Sequence, residues 1–187
     1  MVKLVDVPRY EAVIEAIKKA KKDVEKAKYK LRNLALISIL TFSGCRLGEA
    51  LKLKVEDIDV KNRTIRIVQE KKKKNFIRII PIPSKQFWDI MERYIKTIPF
   101  KSMLLFPITD RQARNIVYSF SQKYLKTKIR PHALRHSYAT FILKKTKDIE
   151  ATRRLLGHSN YKTLKEYLEY TQEDLEETLF TLFRDLE

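Results

Sequence analysis

Residues 30–54 read KLRNLALISILTFSGCRLGEALKLK, and this stretch decides what kind of fold the chain can adopt. Residues 30–42 are apolar nearly all round, which suits a helix buried in a core rather than one lying on a surface. Gly44 tolerates the left-handed backbone that closes a helix, so the helix should stop there. Arg46 then stands at the start of the next helix. An arginine in that position, between apolar segments, needs a partner, and Glu49 lies one turn on.

Outward from this centre, Tyr10, Val13, Ile14 and Ile17 fall at helical spacing after Pro8, a residue suited to a first turn, so residues 8 to about 22 are predicted helical. A lysine-rich break follows. RTIRIVQ (63–69) and FIRIIPI (76–82) are β-branched and joined by EKKKKN, which reads as a hairpin. Helices are expected again at 84–97, about 110–126, 131–145 and 149–156, with a short one around 162–168. A last amphipathic helix would carry Leu175, Leu179, Leu182, Phe183 and Leu186. The expected fold is one domain, mainly α with a small antiparallel β-sheet (α+β). Three glycines, no low-complexity linker and no repeat leave no domain boundary to place.

The formal net charge of the 187 residues is +17. Residues 173–187 hold six acids and one base, so the rest of the chain has 39 bases against 17 acids, a surplus of +22. Such a surplus suits a polyanionic partner, nucleic acid first and an anionic membrane surface second. Solubility alone, or a lysine-rich thermophile proteome, is the plain alternative. A single cysteine, Cys45, excludes a disulfide framework and a Cys-based zinc cluster. With no signal peptide and no apolar run of spanning length, the chain reads as cytoplasmic and not bound to a membrane.

RPHALRHSYATF (130–141) sets two arginines and two histidines within seven positions of a helical pattern. His132 and Arg135 are spaced i and i+3 on one helix face, with His136 one turn from His132. Two histidines at i and i+4 can bind zinc, yet no acidic or thiol ligand is near in sequence. A phosphate site fits the residue types better. Arginine presents a planar fork of donors that stays charged, and two of them can bracket a phosphodiester and hold the charge of its transition state. Histidine can donate to a phosphate oxygen or accept a proton near neutral pH. No carboxylate cluster is available for magnesium, so the pattern suggests phosphoryl transfer without metal or cofactor. Its nucleophile would be a serine or a tyrosine, and Tyr161, Tyr167 and Tyr170 follow LLGH.

TFSGCRLGEALKLKVEDID, HALRHSYATFIL and LLGHSNYKTLKEY, in this order and with a lysine-bearing hairpin between the first two, resemble the catalytic domain of the tyrosine recombinases of the phage integrase and Xer type. The resemblance runs from about Leu31 to Tyr170. It implies an active site of Arg46, a hairpin lysine, His132, Arg135, His158 and the nucleophile Tyr167, with Glu49 as the acid that follows the first arginine. Counting back from Ile80 and Pro81 selects Lys73 among Lys71, Lys72, Lys73 and Lys74, whereas counting forward from VQE selects Lys71; Lys73 is preferred. Tyr170 is the competitor of Tyr167, Tyr161 is expected to pack, and His136 falls one residue past the motif and is expected to be structural. Residues 1–187 would then be a catalytic domain without the N-terminal core-binding domain of the family. Its substrate would be double-stranded DNA, and a homo-oligomer on DNA would form through the C-terminal helix. A type IB topoisomerase-like activity and a non-catalytic basic DNA-binding module are the rival functions.

Overall fold

The computed structural model describes residues 7–69 and 76–157. Seven α-helices, a 3-10 turn at Val55–Asp57 and one three-stranded sheet make up this part of the molecule, with the α-helices and strands in the order α1 (Tyr10–Glu25), α2 (Leu31–Ser43), α3 (Leu47–Lys52), β1 (Ile58–Asp59), β2 (Thr64–Gln69), β3 (Phe76–Pro81), α4 (Lys85–Ile95), α5 (Asp110–Leu125), α6 (Pro131–Thr146) and α7 (Ile149–Leu156). The expectation of a mainly helical domain with a small antiparallel sheet is met.

At the centre lies α2. Nine of its thirteen residues are buried, and it packs against α1, α3, α4, α5 and α6. Gly44 ends it with φ +60, as its sequence position suggested. The helix around it needs caps, because its neighbours' first N–H groups have no partners of their own. Ser84 accepts from the Phe87 N–H at the start of α4, Asp148 accepts from the Ala151 N–H at the start of α7, and Thr109 and Gln112 form a reciprocal pair at the start of α5. α1 presents Val13, Ala16, Ile17 and Ala20 to the core, a stripe at i, i+3, i+4 and i+7.

Two boundaries differ from expectation. Pro8 lies before the helix rather than in its first turn, since Arg9 is the capping residue, and α1 continues to Glu25 because lysines are good helix formers on an exposed face. The hairpin also has a third strand. β1 pairs antiparallel with β2 through Ile58↔Ile65 and Asp59↔Thr64, and β2 pairs with β3 from Thr64↔Pro81 to Gln69↔Phe76. Two residues are too short for a periodic signal, which is why β1 was not read from the sequence. The helices expected at 162–168 and beyond lie outside the described residues.

Candidate active site

β3 turns its faces against the usual rule. Ile65, Ile67, Ile80 and Ile82 are buried on the core side of the sheet, and Arg78 is buried with them, while Phe76, Ile77 and Ile79 are exposed. A strand shows alternate residues to opposite faces, so an arginine shares the inner face with Ile80 while two isoleucines stand outside. Arg78 is 6% exposed. Its Nη2 donates to Glu49 Oε2 at 2.8 Å and its Nη1 to the Leu155 carbonyl at 3.3 Å.

Glu49 is the hub of this corner. It sits in the first turn of α3, and its Oε2 also accepts the main-chain N–H of Arg46 at 2.9 Å, which closes the start of the helix. Its Oε1 accepts from Arg46 Nη1 at 3.2 Å. The partner expected for Arg46 is therefore present. Its expected setting between buried segments is not: the Arg46 side chain is 42% exposed, because the cap position lifts it off the core while Glu49 stays inside at 9%.

Arg135 is held differently. It lies in the second turn of α6, whose start is set by Pro131, a residue pre-shaped for a first helical position. At 1% exposure it is among the largest fully buried side chains. Its Nη1 donates to the Gly44 carbonyl at 2.6 Å and its Nη2 to the Leu156 carbonyl at 2.8 Å. One guanidinium thus ties α6 to the turn two residues before Arg46 and to the turn two residues before His158. His132 is exposed one turn earlier on α6, and its ring meets the buried His136 ring edge to face, with centroids 4.4 Å apart.

Two glycines make this packing possible. A Cβ on Gly44 would enter the ring of Tyr138, and one on Gly157, which ends α7 at φ +66, would enter the Arg78 guanidinium. Cys45 reports on the electrostatics between these groups. Burial pushes its thiol up to about 11, Ser43 and the positive fields of Arg135 and Arg78 oppose that, and Glu49 adds to it. All three charged groups therefore act on one buried sulfur. Burial likewise raises the Tyr138 phenol, to about 12.

Of the residues singled out in the sequence, the structure brings together the segments carrying Arg46, Glu49, His132 and Arg135. Lys73, with Lys71, Lys72 and Lys74, lies outside the described residues, as do His158, Tyr161, Tyr167 and Tyr170. Arg78, Gly157 and Tyr138 were not singled out. The signal for Arg78 was partial: it alternates in phase with Ile80, and an arginine at an inward strand position is rarely placed there for packing, but Ile77 and Ile79 on the other face made the inward side ambiguous. Among the described residues no group of three or more His, Cys, Asp or Glu side chains could hold a metal ion, and no helix is long and apolar enough to cross a membrane.

The model of the phage integrase family matches residues 9–174. Curated relatives include tyrosine recombinase XerC of Halalkalibacterium halodurans, 31% identical over 168 residues that cover 81% of this chain and 54% of the relative. Tyrosine recombinase XerA of Pyrococcus horikoshii is 32% identical over 157 residues, covering 80% of this chain and 54% of that protein. The chain spans about half the length of the curated relatives it matches. Among solved structures, XerA recombinase superposes with a TM-score of 0.72 at 24% identity, covering 93% of this chain and 63% of that one. XerH recombinase bound to its difH substrate before cleavage superposes with a TM-score of 0.72 at 26% identity, covering 95% of this chain and 55% of that one.

Proposed function

From the premise that this chain belongs to the phage integrase family, we propose that it is the catalytic part of a site-specific tyrosine recombinase, cleaving and rejoining DNA strands through a 3′-phosphotyrosine. The observation that carries this is the Arg135 guanidinium, which joins the Gly44 turn before Arg46 to the Leu156 turn before His158. Three separated boxes of the sequence meet at one buried cation. A surplus of +17 gives the chain the charge that a DNA partner calls for.

In this mechanism the Tyr167 phenol attacks a phosphodiester in line. A tyrosine hydroxyl ordinarily ionises only near pH ~10, so His132 takes its proton as the bond to phosphorus forms. Arg46 and Arg135 hold the charge that gathers on the non-bridging oxygens, and His158 adds a hydrogen bond to one of them. Lys73 protonates the departing 5′ oxygen, which would leave poorly as an alkoxide. The phosphotyrosine keeps the energy of the broken ester, so a 5′-hydroxyl of a second strand can attack it and restore the phenol without a cofactor.

The direct test uses a nicked DNA substrate and denaturing electrophoresis, in wild type and in Tyr167→Phe. Wild type should become covalently attached, with or without EDTA, and the variant should not, at DNA affinity within about threefold because one hydroxyl makes few phosphate contacts. Attachment that survives Tyr167→Phe but not Tyr170→Phe moves the nucleophile to Tyr170. Retardation without attachment in wild type supports a binding module instead.

Assembly on DNA belongs to the same proposal. Leu175, Leu179, Leu182, Phe183 and Leu186 recur at helical spacing among six acids. A groove of about 580 Å³ between β3 and α7, lined by Phe76, Ile77, Ile79 and Leu155, offers apolar surface to match them, and beside it Arg153 and Arg154 share the single carboxylate of Glu150, two positive charges against one negative. The occupant is that segment of a second copy, passed head to tail. Ile79→Glu should then reduce multimer formation on DNA, and unchanged multimers would refute the groove as the receiving surface.

A further inference from the structure

Arg78 has no place in the mechanism above, yet it occupies the inner face of the sheet at 6% exposure and touches two segments that the mechanism uses, the start of α3 at Glu49 and the end of α7 at Leu155. We infer that Arg78 is a positioning residue for the cleavage reaction, acting through Glu49 to set both the placement and the effective charge of Arg46. This rests on the recombinase reading.

A buried ion pair is weak evidence of a stabilising role, because apolar residues of similar volume often serve stability as well or better. Arg78 is also incompletely satisfied: its buried Nε has no hydrogen-bond partner among the described residues. A group that costs desolvation, crowds Gly157 and leaves a donor unused is retained for something other than packing.

The contacts say what that is. Glu49 faces two guanidinium groups, and Arg78 makes the shorter contact, 2.8 Å to Oε2, whereas Arg46 Nη1 reaches Oε1 at 3.2 Å. With its side chain 4% exposed, Arg78 is far less screened by water than Arg46 at 42%. The carboxylate's charge is thus directed mainly inward, to Arg78. Arg46 is left oriented by Glu49 but not neutralised by it, which is the state an anion-binding arginine requires. The same guanidinium fixes two other elements relative to Arg46. It is part of β3, which follows the lysine run 71–74, and it donates to the Leu155 carbonyl, three residues before His158.

The experiment measures single-turnover cleavage of a nicked duplex at saturating protein, together with DNA affinity and thermal stability, for wild type, Arg78→Met, Arg78→Gln and Arg78→Lys. Neutral replacements leave Glu49 to Arg46 alone. Arg78→Met and Arg78→Gln should cleave at least about tenfold more slowly, the scale expected from a misplaced reacting group, with affinity within about threefold. Lysine keeps a cation for Glu49 but lacks the second arm to Leu155. Arg78→Lys should therefore melt as low as the neutral variants and yet cleave within about threefold of wild type. A purely structural arginine would give lysine and glutamine variants whose cleavage falls together with their melting temperatures, and that result overturns the inference, as does wild-type cleavage by Arg78→Gln. If Arg78→Met does not fold, the glutamine and lysine pair decides. Absence of any covalent product from wild type itself would instead remove the recombinase reading.

Discussion

The two arginines of the candidate site are built on opposite principles. Arg135 is enclosed, and its guanidinium donates to main-chain carbonyls in turns that are 91 and 21 residues away in sequence. Arg46 is half in solvent, and its guanidinium pairs with a carboxylate three residues along, in the first turn of the helix it caps. A side chain fixed by backbone can be moved only by moving the fold, whereas one fixed by a neighbouring acid can be moved by altering that acid. The first is a structural constant of the site and the second is its adjustable part, which is why Arg78 can act on Arg46 and not on Arg135.

The largest effect should come from separating these two roles by truncation. Arg135→Ala removes a fully buried side chain and leaves two enclosed carbonyls without their donors, so it should lower stability by about 3 kcal/mol or more. Arg46→Ala removes a side chain that is 42% exposed and leaves Glu49 still paired with Arg78, so its effect on stability should stay within about 1 kcal/mol. Cleavage should nevertheless fall by about a hundredfold or more in both, the usual consequence of losing one donor to a developing oxyanion. Chemical denaturation beside single-turnover cleavage checks this. Equal loss of stability in the two variants would end the distinction between fold-fixed and acid-fixed arginines.

Next in size is Gly44→Ala. Its φ of +60 is strained for any other residue, and the added methyl enters the Tyr138 ring. The two terms together should cost about 2–3 kcal/mol and shift the carbonyl that holds Arg135, slowing cleavage as well. Tyr138→Leu, added to Gly44→Ala, should recover the steric part and leave about 1 kcal/mol of backbone strain. Urea melts of the single and double variants separate the two. No recovery in the double variant would mean that φ alone makes this position glycine.

How far the sequence disclosed this arrangement follows from the range of each interaction. The buried α2, its end at Gly44 and the pairing of Arg46 with Glu49 are local, so spacing exposed them. The Arg135 carbonyl partners cannot be read from any pattern, because hydrogen bonds to main chain carry no residue signature and these span distant turns. Arg78 is intermediate. The alternation of FIRIIPI marks position 78 as inward together with Ile80, but two isoleucines on the outer face, 49% and 67% exposed, disguise which face is which. The exposure of Arg46 was missed for a related reason: apolar neighbours in sequence do not imply burial at a cap, where the chain leaves the helical path.

The smallest effect belongs to the end of the molecule where α1 meets α5. Asp23 accepts from Lys123 Nζ and from the Tyr124 hydroxyl, each at 2.7 Å, and Lys123 is 45% exposed. The bond from Lys123, then that from Tyr124, holds the Asp23 carboxyl below its ordinary range. A carboxyl depressed in the folded state stabilises while ionised, so the contribution is complete above the unfolded value near pH ~4 and is lost as pH falls through the folded one. The same bond raises the Lys123 ammonium, so the contribution also disappears as pH rises past the lysine range near pH ~10. Asp23→Asn should therefore melt below wild type at pH 7, and the gap should narrow steadily as pH falls below about 4. It should also shrink in 1 M salt, because exposed charges are screened over a Debye length of about 3 Å at that strength. The loss in Arg135→Ala should be far less sensitive to the same salt, because the side chain is enclosed and its bonds to the Gly44 and Leu156 carbonyls are made away from solvent. A salt-insensitive gap in Asp23→Asn would show that Asp23 acts by packing and geometry, and would place it with Arg135 rather than with the exposed pairs.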